Sequence, residues 1–364
     1  MPKHAHGANL FELERLYHFS LDEIMDFSSN VNPLGPSQKA LDQVAQNADK
    51  ASVYPDPAYV DLKAEISAYC HARPDHILLG SGTTQLIKDY IQFIHPKKAL
   101  INSPCYSEYE NELKLVGAQV QEYKLDYRQN FRVDMDYLVD YINKEEIDLY
   151  VITNPNNPTG TILDRVDLER ILKETQAHIL IDETYIEFTD KAVYSAIPLA
   201  SKYPQFLVVR STSKFFSSPG IRLGYGVTSD GACLDQLQEK STLWGINIFA
   251  EMMGRTMFSD EDYKAKTFNL IAREKEDMIS ALEALDEIKV FPSYANFVLC
   301  KIKKEGVQAA QLRQALLPQK MVIRDCASFK NLDGRFFRFC ILAPEANRLL
   351  IRAIYDFFGK DYDR

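Results

Sequence analysis

Val208-Val-Arg-Ser-Thr-Ser-Lys214-Phe-Phe-Ser-Ser-Pro-Gly220-Ile-Arg222-Leu-Gly-Tyr-Gly226 opens as a β-branched run and closes on Gly-x-Arg before a second apolar run. The opening has the pattern of a buried strand, and the residues after it are small and polar, with one lysine among hydroxyls. A lysine leaving a strand end between Ser and Gly packs poorly. Its amine can instead be desolvated, lose its proton and condense with an aldehyde. Ser211, Ser213 and the bidentate fork of Arg222 together suit a phosphate. A phosphorylated aldehyde held on a lysine describes pyridoxal 5'-phosphate.

Upstream, strand patterns alternate with helical ones. Ile77-Leu-Leu-Gly80 runs into Ser81-Gly82-Thr83-Thr84 ahead of a helix, where backbone N–H groups and the helix dipole converge as a second anion cradle. It lacks the Gly-x-Gly-x-x-Gly and Walker patterns of dinucleotide and ATP loops. Strands are expected at 99–103, 119–123, 149–153 and 178–182, and helices at 108–115, 134–143 and 166–175. The third of these strands opens into the polar turn Asn154-Pro-Asn-Asn157-Pro158-Thr-Gly160, and the fourth ends in Asp182. This alternation predicts an α/β fold with a mostly parallel central sheet and helices on both faces, binding its ligand beyond the carboxyl ends of the strands. Ser81, Gly82, Asn157, Asp182 and the run Ser211 to Lys214 would then meet at one site.

After Gly226 the pattern changes. Helices at 231–241, to about 286 with a break near 258–260, at 306–317 and at 344–358 mix with strands at 288–291, 297–302, 322–324 and 336–341. That is a smaller α+β domain. Before the sheet lie a helical pattern over 10–25, an irregular segment presenting Asn30 and Asn32 side by side, a helix over 37–47 capped by Ser37, and a helix over 58–72. The expected division is an N-terminal arm with part of the small domain (1–45), a large cofactor-binding domain (46–250) and a C-terminal small domain (251–364).

Lys and Arg number 42 against 51 Asp and Glu, a net charge of −9 with no basic block, which argues against a nucleic-acid partner. The six cysteines are scattered without a Cys-x-x-Cys pair and the seven histidines lack ligand spacing, so reduced thiols and no metal are expected. The N-terminus has no apolar signal core and no run is long enough to span a bilayer, which points to a cytoplasmic protein without a membrane partner.

A pyridoxal phosphate site also needs a buried carboxylate for the pyridine nitrogen, donors for the ring oxygen O3', and a partner for one ring face. Asp182 suits the first. Asn157 and Tyr185 are candidates for the second, and Tyr106, just past a strand end, for the third.

Asn-Pro-Asn-Asn157-Pro-Thr-Gly, Asp182-Glu-Thr-Tyr185 and Ser-x-Ser-Lys214 followed by Gly220-x-Arg222 together resemble the fold-type I aminotransferases, over essentially the whole chain. The resemblance implies that Lys214 links the cofactor and acts with Asp182 in catalysis, that Asn157 and Tyr185 contact O3', and that Tyr106 stacks on the ring. It implies that Gly82, Thr83, Ser211, Ser213 and Arg222 hold the cofactor phosphate, with Tyr54 reaching the neighbouring subunit's cofactor in a homodimer. It implies that Arg338 takes the substrate carboxylate, with Asn157 also among the substrate-binding residues. Within the family, His6-Gly-Ala-Asn9 and Asp26-Phe-Ser-Ser-Asn30-Val-Asn32-Pro-Leu-Gly-Pro36 resemble the threonine-phosphate decarboxylase branch of cobalamin synthesis more than the histidinol-phosphate aminotransferase branch, which is the alternative. That branch implies decarboxylation of threonine phosphate or serine phosphate for the cobamide nucleotide loop, with His6, Asn30 and Arg324 on the substrate phosphate. Ala8, Tyr185 and Leu342 depart from its pattern, where Gly, Phe and a second Arg are usual.

Overall fold

The computed structural model describes residues 10–362; His6 and Ala8 lie outside them. In chain order the elements are α1 (Leu10–Tyr17), β1 (Met25–Asp26), α2 (Gln38–Gln46), α3 (Val60–Cys70), β2 (Ile77–Gly80), α4 (Thr83–Ile94), β3 (Lys98–Ser103), α5 (Ser107–Leu115) and β4 (Gln119–Lys124). Next come α6 (Met135–Lys144), β5 (Leu149–Thr153), α7 (Arg165–Glu174), β6 (His178–Asp182), α8 (Lys191–Tyr194), β7 (Phe206–Ser211), β8 (Gly224–Val227), α9 (Gly231–Lys240), α10 (Ile248–Met257) and α11 (Glu261–Glu283). The chain ends with β9 (Ile288–Val290), β10 (Phe297–Ile302), α12 (Ala309–Leu316), β11 (Met321–Val322), β12 (Arg324–Asp325), β13 (Phe336–Cys340) and α13 (Pro344–Phe357).

Seven strands form the large sheet in the order β2-β8-β7-β6-β5-β3-β4. All its pairings are parallel except those of β8, which runs against both β2 and β7. Every residue of β5 and β7 is buried, as expected for strands covered on both faces, whereas the edge strand β4 leaves Gln119 and Lys124 exposed. The helix starts reflect local chemistry. Ser37, Asp134, Asp164, Asn247 and Asp260 each accept a backbone N–H of the first turn of the next helix. Because β2, β3, β5, β6 and β7 share one direction, Ser81–Thr83, Pro104–Tyr106, Asn154–Gly160, Asp182 and Ser211–Lys214 all emerge along one edge. The start of the antiparallel β8, next to Arg222, joins them there.

A second sheet, β12-β13-β10-β9, is antiparallel throughout, and β1 pairs in parallel with β11 across nearly the whole sequence. This pairing places Met25–Asp26 beside the C-terminal part of the chain. Three expectations are corrected. The first helix stops at Tyr17 rather than running to 25, because His18 takes a left-handed φ of 56° that helical backbone does not allow. The helix expected over 306–317 begins at Ala309, after Gly306 at φ 76°. The single strand expected at 322–324 is two: Met321–Val322 joins β1, and Arg324–Asp325 joins β13.

Candidate active site

The carboxyl edge of the large sheet and the β12–β13 side of the small one enclose a cavity of about 590 Å³, the size of a small-molecule site. Lys214 lies in its wall, with its Nζ donating to the Ser29 carbonyl at 2.6 Å. Burial, then the nearby Arg338 charge, bring the amine from its ordinary value down to about 8. The neutral, nucleophilic form is therefore accessible near neutral pH.

Asp182 terminates β6 inside the cavity, buried; its Oδ2 accepts from the Tyr109 hydroxyl at 2.7 Å and its Oδ1 from the Thr184 N–H at 2.9 Å. Burial pushes its carboxyl upward while those donors oppose the shift. A cationic N–H brought opposite such a carboxylate would gain strongly in this low-dielectric wall. Sequence reasoning missed Tyr109 and Thr153, whose hydroxyl donates to Tyr109 at 3.0 Å. Tyr109 stands one helical turn after Tyr106 and meets its ring edge-on at 5.5 Å, so the i, i+3 spacing was the available signal. Burial holds Tyr106 at about 12, protonated.

Thr83, Ser211, Ser213 and Arg222 all line the cavity, at the N-terminus of α4. Gly82 is its N-cap, at φ 85°, and a Cβ there would collide with the Arg222 guanidinium. A Cβ on Gly224 would lie 2.7 Å from the Thr83 nitrogen. Helix N-terminus, hydroxyls and guanidinium thus converge with no room for side chains, a cradle for a phosphate dianion. Asn157 and Arg338 also meet, the amide Oδ1 accepting from the guanidinium, while Arg338 Nη2 donates to the Ser28 carbonyl at 2.7 Å. Arg338 lies over the Phe297 ring at 5.1 Å, and Tyr185 meets the same ring edge-on at 5.0 Å.

Of the two asparagines in the irregular segment, Asn30 lines the cavity and Asn32 does not. Asn32 is a structural tie, its amide reaching the Phe215 carbonyl at 2.8 Å and Thr267 at 2.8 Å. The Nδ2 of Asn30 donates to the Tyr185 hydroxyl at 3.1 Å, so this donor is engaged with the tyrosine rather than held for a phosphate. Arg324 lines the cavity, donates to Ser328 at 2.9 Å and makes no ion pair among the described residues. Tyr54 lies apart from the cavity, 72% exposed and stacked on Trp244 at 4.2 Å. Leu342 packs against the core. Among the described residues no acidic, cysteine or histidine cluster could hold a metal, and no helix is long and apolar enough to cross a membrane.

The chain as a whole is similar to known proteins. The sequence pattern of the family described as Aminotransferase class I and II matches residues 22–354. A provisionally named threonine-phosphate decarboxylase of Caldanaerobacter subterraneus subsp. tengcongensis is 36% identical over 97% of this chain and 94% of its own. The threonine-phosphate decarboxylase of Salmonella typhimurium is 29% identical over 96% of this chain and 95% of its own. Among solved structures, the histidinol-phosphate aminotransferase of Clostridium acetobutylicum superposes with a TM-score of 0.85 at 33% identity, covering 92% of this chain and 98% of that one.

Proposed function

The chain belongs to the aminotransferase class I and II family and takes pyridoxal 5'-phosphate as its cofactor, and from that premise we propose that it decarboxylates an O-phospho-amino acid. The residues fit the cofactor. The Gly82–Thr83 cradle with Ser211, Ser213 and Arg222 matches a phosphate, Asp182 a pyridinium nitrogen, and Lys214 an aldehyde. When bound, the cofactor supplies an electron sink for the bond that breaks at the substrate α-carbon. Asn157 and the Tyr185 hydroxyl would contact its ring oxygen, and Tyr106 one ring face.

The protein's own groups do the rest. Arg338, anchored by Asn157 and the Ser28 carbonyl, binds the substrate carboxylate. Arg324 binds the substrate phosphate with Ser328; His6 belongs to the same expectation. The observation that carries this reading is Arg324: a half-buried guanidinium that lines the cavity, donates to Ser328 and makes no ion pair among the described residues. Its burial is offset once a dianion arrives. Held at both ends, the substrate presents its carboxylate for loss as CO₂, and Lys214 Nζ delivers a proton to the α-carbon in its place. Threonine phosphate would give aminopropanol phosphate, and serine phosphate ethanolamine phosphate, for a cobamide nucleotide loop.

Two further points belong to this reading. The enzyme acts as a homodimer, with Tyr54 and Trp244 offering an exposed aromatic pair for the partner, and it is cytoplasmic, consistent with free cysteines throughout. The second reading, a histidinol-phosphate-type aminotransferase, is favoured by Tyr185, a residue more usual in that branch. The deciding experiment is CO₂ release from O-phospho-L-threonine and O-phospho-L-serine without a keto acid. Release from either supports the decarboxylase. No release, with amino transfer from histidinol phosphate to 2-oxoglutarate, replaces it with the aminotransferase.

A further inference from the structure

The Tyr185 hydroxyl is buried in the cavity wall, and its one polar partner among the described residues is Asn30 Nδ2, at 3.1 Å. An amide nitrogen can only donate, whereas a phenol both accepts and donates. Accepting from Asn30 leaves the phenolic hydrogen unspent, and the open side of Tyr185 is the cavity. The ring cannot swing to place that hydrogen elsewhere, because Phe297 abuts it edge-on at 5.0 Å. Turned the other way, the Asn30 amide would take the phenolic hydrogen with its oxygen, and the cavity would lose a donor.

Asn30 is itself held. Its φ of 59° is left-handed, a conformation asparagine tolerates, and it is 1% exposed. Asn296 Nδ2 donates to its carbonyl at 2.9 Å. Asn296, fully buried at the start of β10, is fixed in turn: its own carbonyl accepts from the Ile341 N–H at 2.9 Å. The adjoining carbonyls of Ser293 and Ala295 accept from Lys275 Nζ at 3.1 and 3.0 Å.

We propose that Asn30 is a positioning residue that commits the Tyr185 hydroxyl to donate into the cavity, and that Asn296 keeps Asn30 in the posture this requires. The proposal rests on the reading that Tyr185 meets the ring oxygen of the cofactor. A donor on that oxygen draws charge from it, so the neighbouring lysine-linked nitrogen holds its proton less tightly. The pH midpoint of the holoenzyme's visible absorbance change reports this directly, without turnover.

The test is a double-mutant cycle on that midpoint. Tyr185→Phe removes the donor and should raise the midpoint by about 1–2 pH units, the worth of one hydrogen bond to a charged group. Asn30→Gly keeps the left-handed backbone but frees the hydroxyl to turn away. It should raise the midpoint by part of that amount, and by nothing further in the Tyr185→Phe background. Asn296→Ala should move it in the same direction by less. If Asn30→Gly leaves the midpoint in place, or shifts it equally in both backgrounds, Asn30 does not act through Tyr185 and the proposal fails while the Tyr185 assignment stands. If Tyr185→Phe itself has no effect, that assignment fails and takes this proposal with it. Should Asn30→Gly lose the cofactor, Asn30→Asp carries the same cycle: its carboxylate accepts the phenolic hydrogen, so its shift must shrink in the Tyr185→Phe background.

Discussion

Lys214 shows how much one side chain's surroundings decide. Its amine sits against the Ser29 carbonyl with no carboxylate in contact, so burial and the Arg338 charge outweigh the opposing pull of Cys340 and Asp26 and the proton is lost near pH 8. An amine attacks an aldehyde only when neutral. Covalent uptake of pyridoxal phosphate by the apoenzyme should therefore accelerate roughly tenfold per pH unit below that value and level off above it, as read by rapid-mixing absorbance; Lys214→Arg should bind without the covalent band. Apoenzyme stability carries the same signature. Between about 8 and the ordinary lysine value the unfolded chain holds a proton that the folded one does not, so stability rises with pH across that window. Lys214, Asp182 and Arg222 were legible in the sequence because a charged residue beside the end of an apolar strand has no packing role to explain it, whereas Arg338, in the middle of β13, stood out only by the family resemblance. Tyr109 was not, since one tyrosine among 20 says nothing until its hydroxyl is seen on Asp182.

The α4 N-terminus is the element on which the cofactor reading depends. Thr83 opens the helix, Gly82 caps it at φ 85° and ψ 166°, and Arg222 packs where a Cβ would lie. That backbone region is open essentially to glycine alone and costs other residues about 1–3 kcal/mol. Gly82→Ala should thus raise the dissociation constant for pyridoxal phosphate by roughly 10–100-fold, since the strain and the displaced guanidinium both act at the phosphate; equilibrium titration of the apoenzyme would measure it. A variant that binds normally would remove the cradle from this helix end. Apart from α1, elements of five or more residues with a clear period were read from sequence within a few residues, β5 and β6 to the residue. The two-residue strands were not. Met25–Asp26 and Met321–Val322 have no period to read, and each exists only because the other is there. That pairing is what carries the Ser28–Asn30 carbonyls to Arg338, Lys214 and Asn296.

Over the whole molecule, charge is distributed against its own average. The chain carries a net −9, yet the cavity wall holds Lys214, Arg222, Arg324, Lys330 and Arg338 against Asp182 and Glu110. A concave positive wall in an acidic protein draws anions toward it over about a Debye length, about 10 Å at 0.1 M salt. These cations do not all serve that end. Lys330, on the loop after β12, is neutralised by Glu110 of α5 and Glu122 of β4, both at 2.7 Å, and the Asn331 amide beside it donates to Glu122 at 3.2 Å. It fastens the C-terminal part of the chain to the large sheet beside the cavity. Arg324 makes no ion pair among the described residues, so in the proposed reading its charge would be left for the substrate. The two roles separate under salt. For a phosphorylated substrate, kcat/KM should fall as ionic strength rises, and Arg324→Ala should both lower it by at least about 10-fold, the worth of one charge-assisted hydrogen bond, and flatten the salt dependence. Lys330→Ala should cost only about 2–5-fold, the scale of a half-exposed ion-pair network, and leave the salt slope as steep as before, because the charge it removes was already spent on two carboxylates. Equal slopes for the Arg324 variant and the parent enzyme would show that the substrate's anionic group is held elsewhere in the cavity.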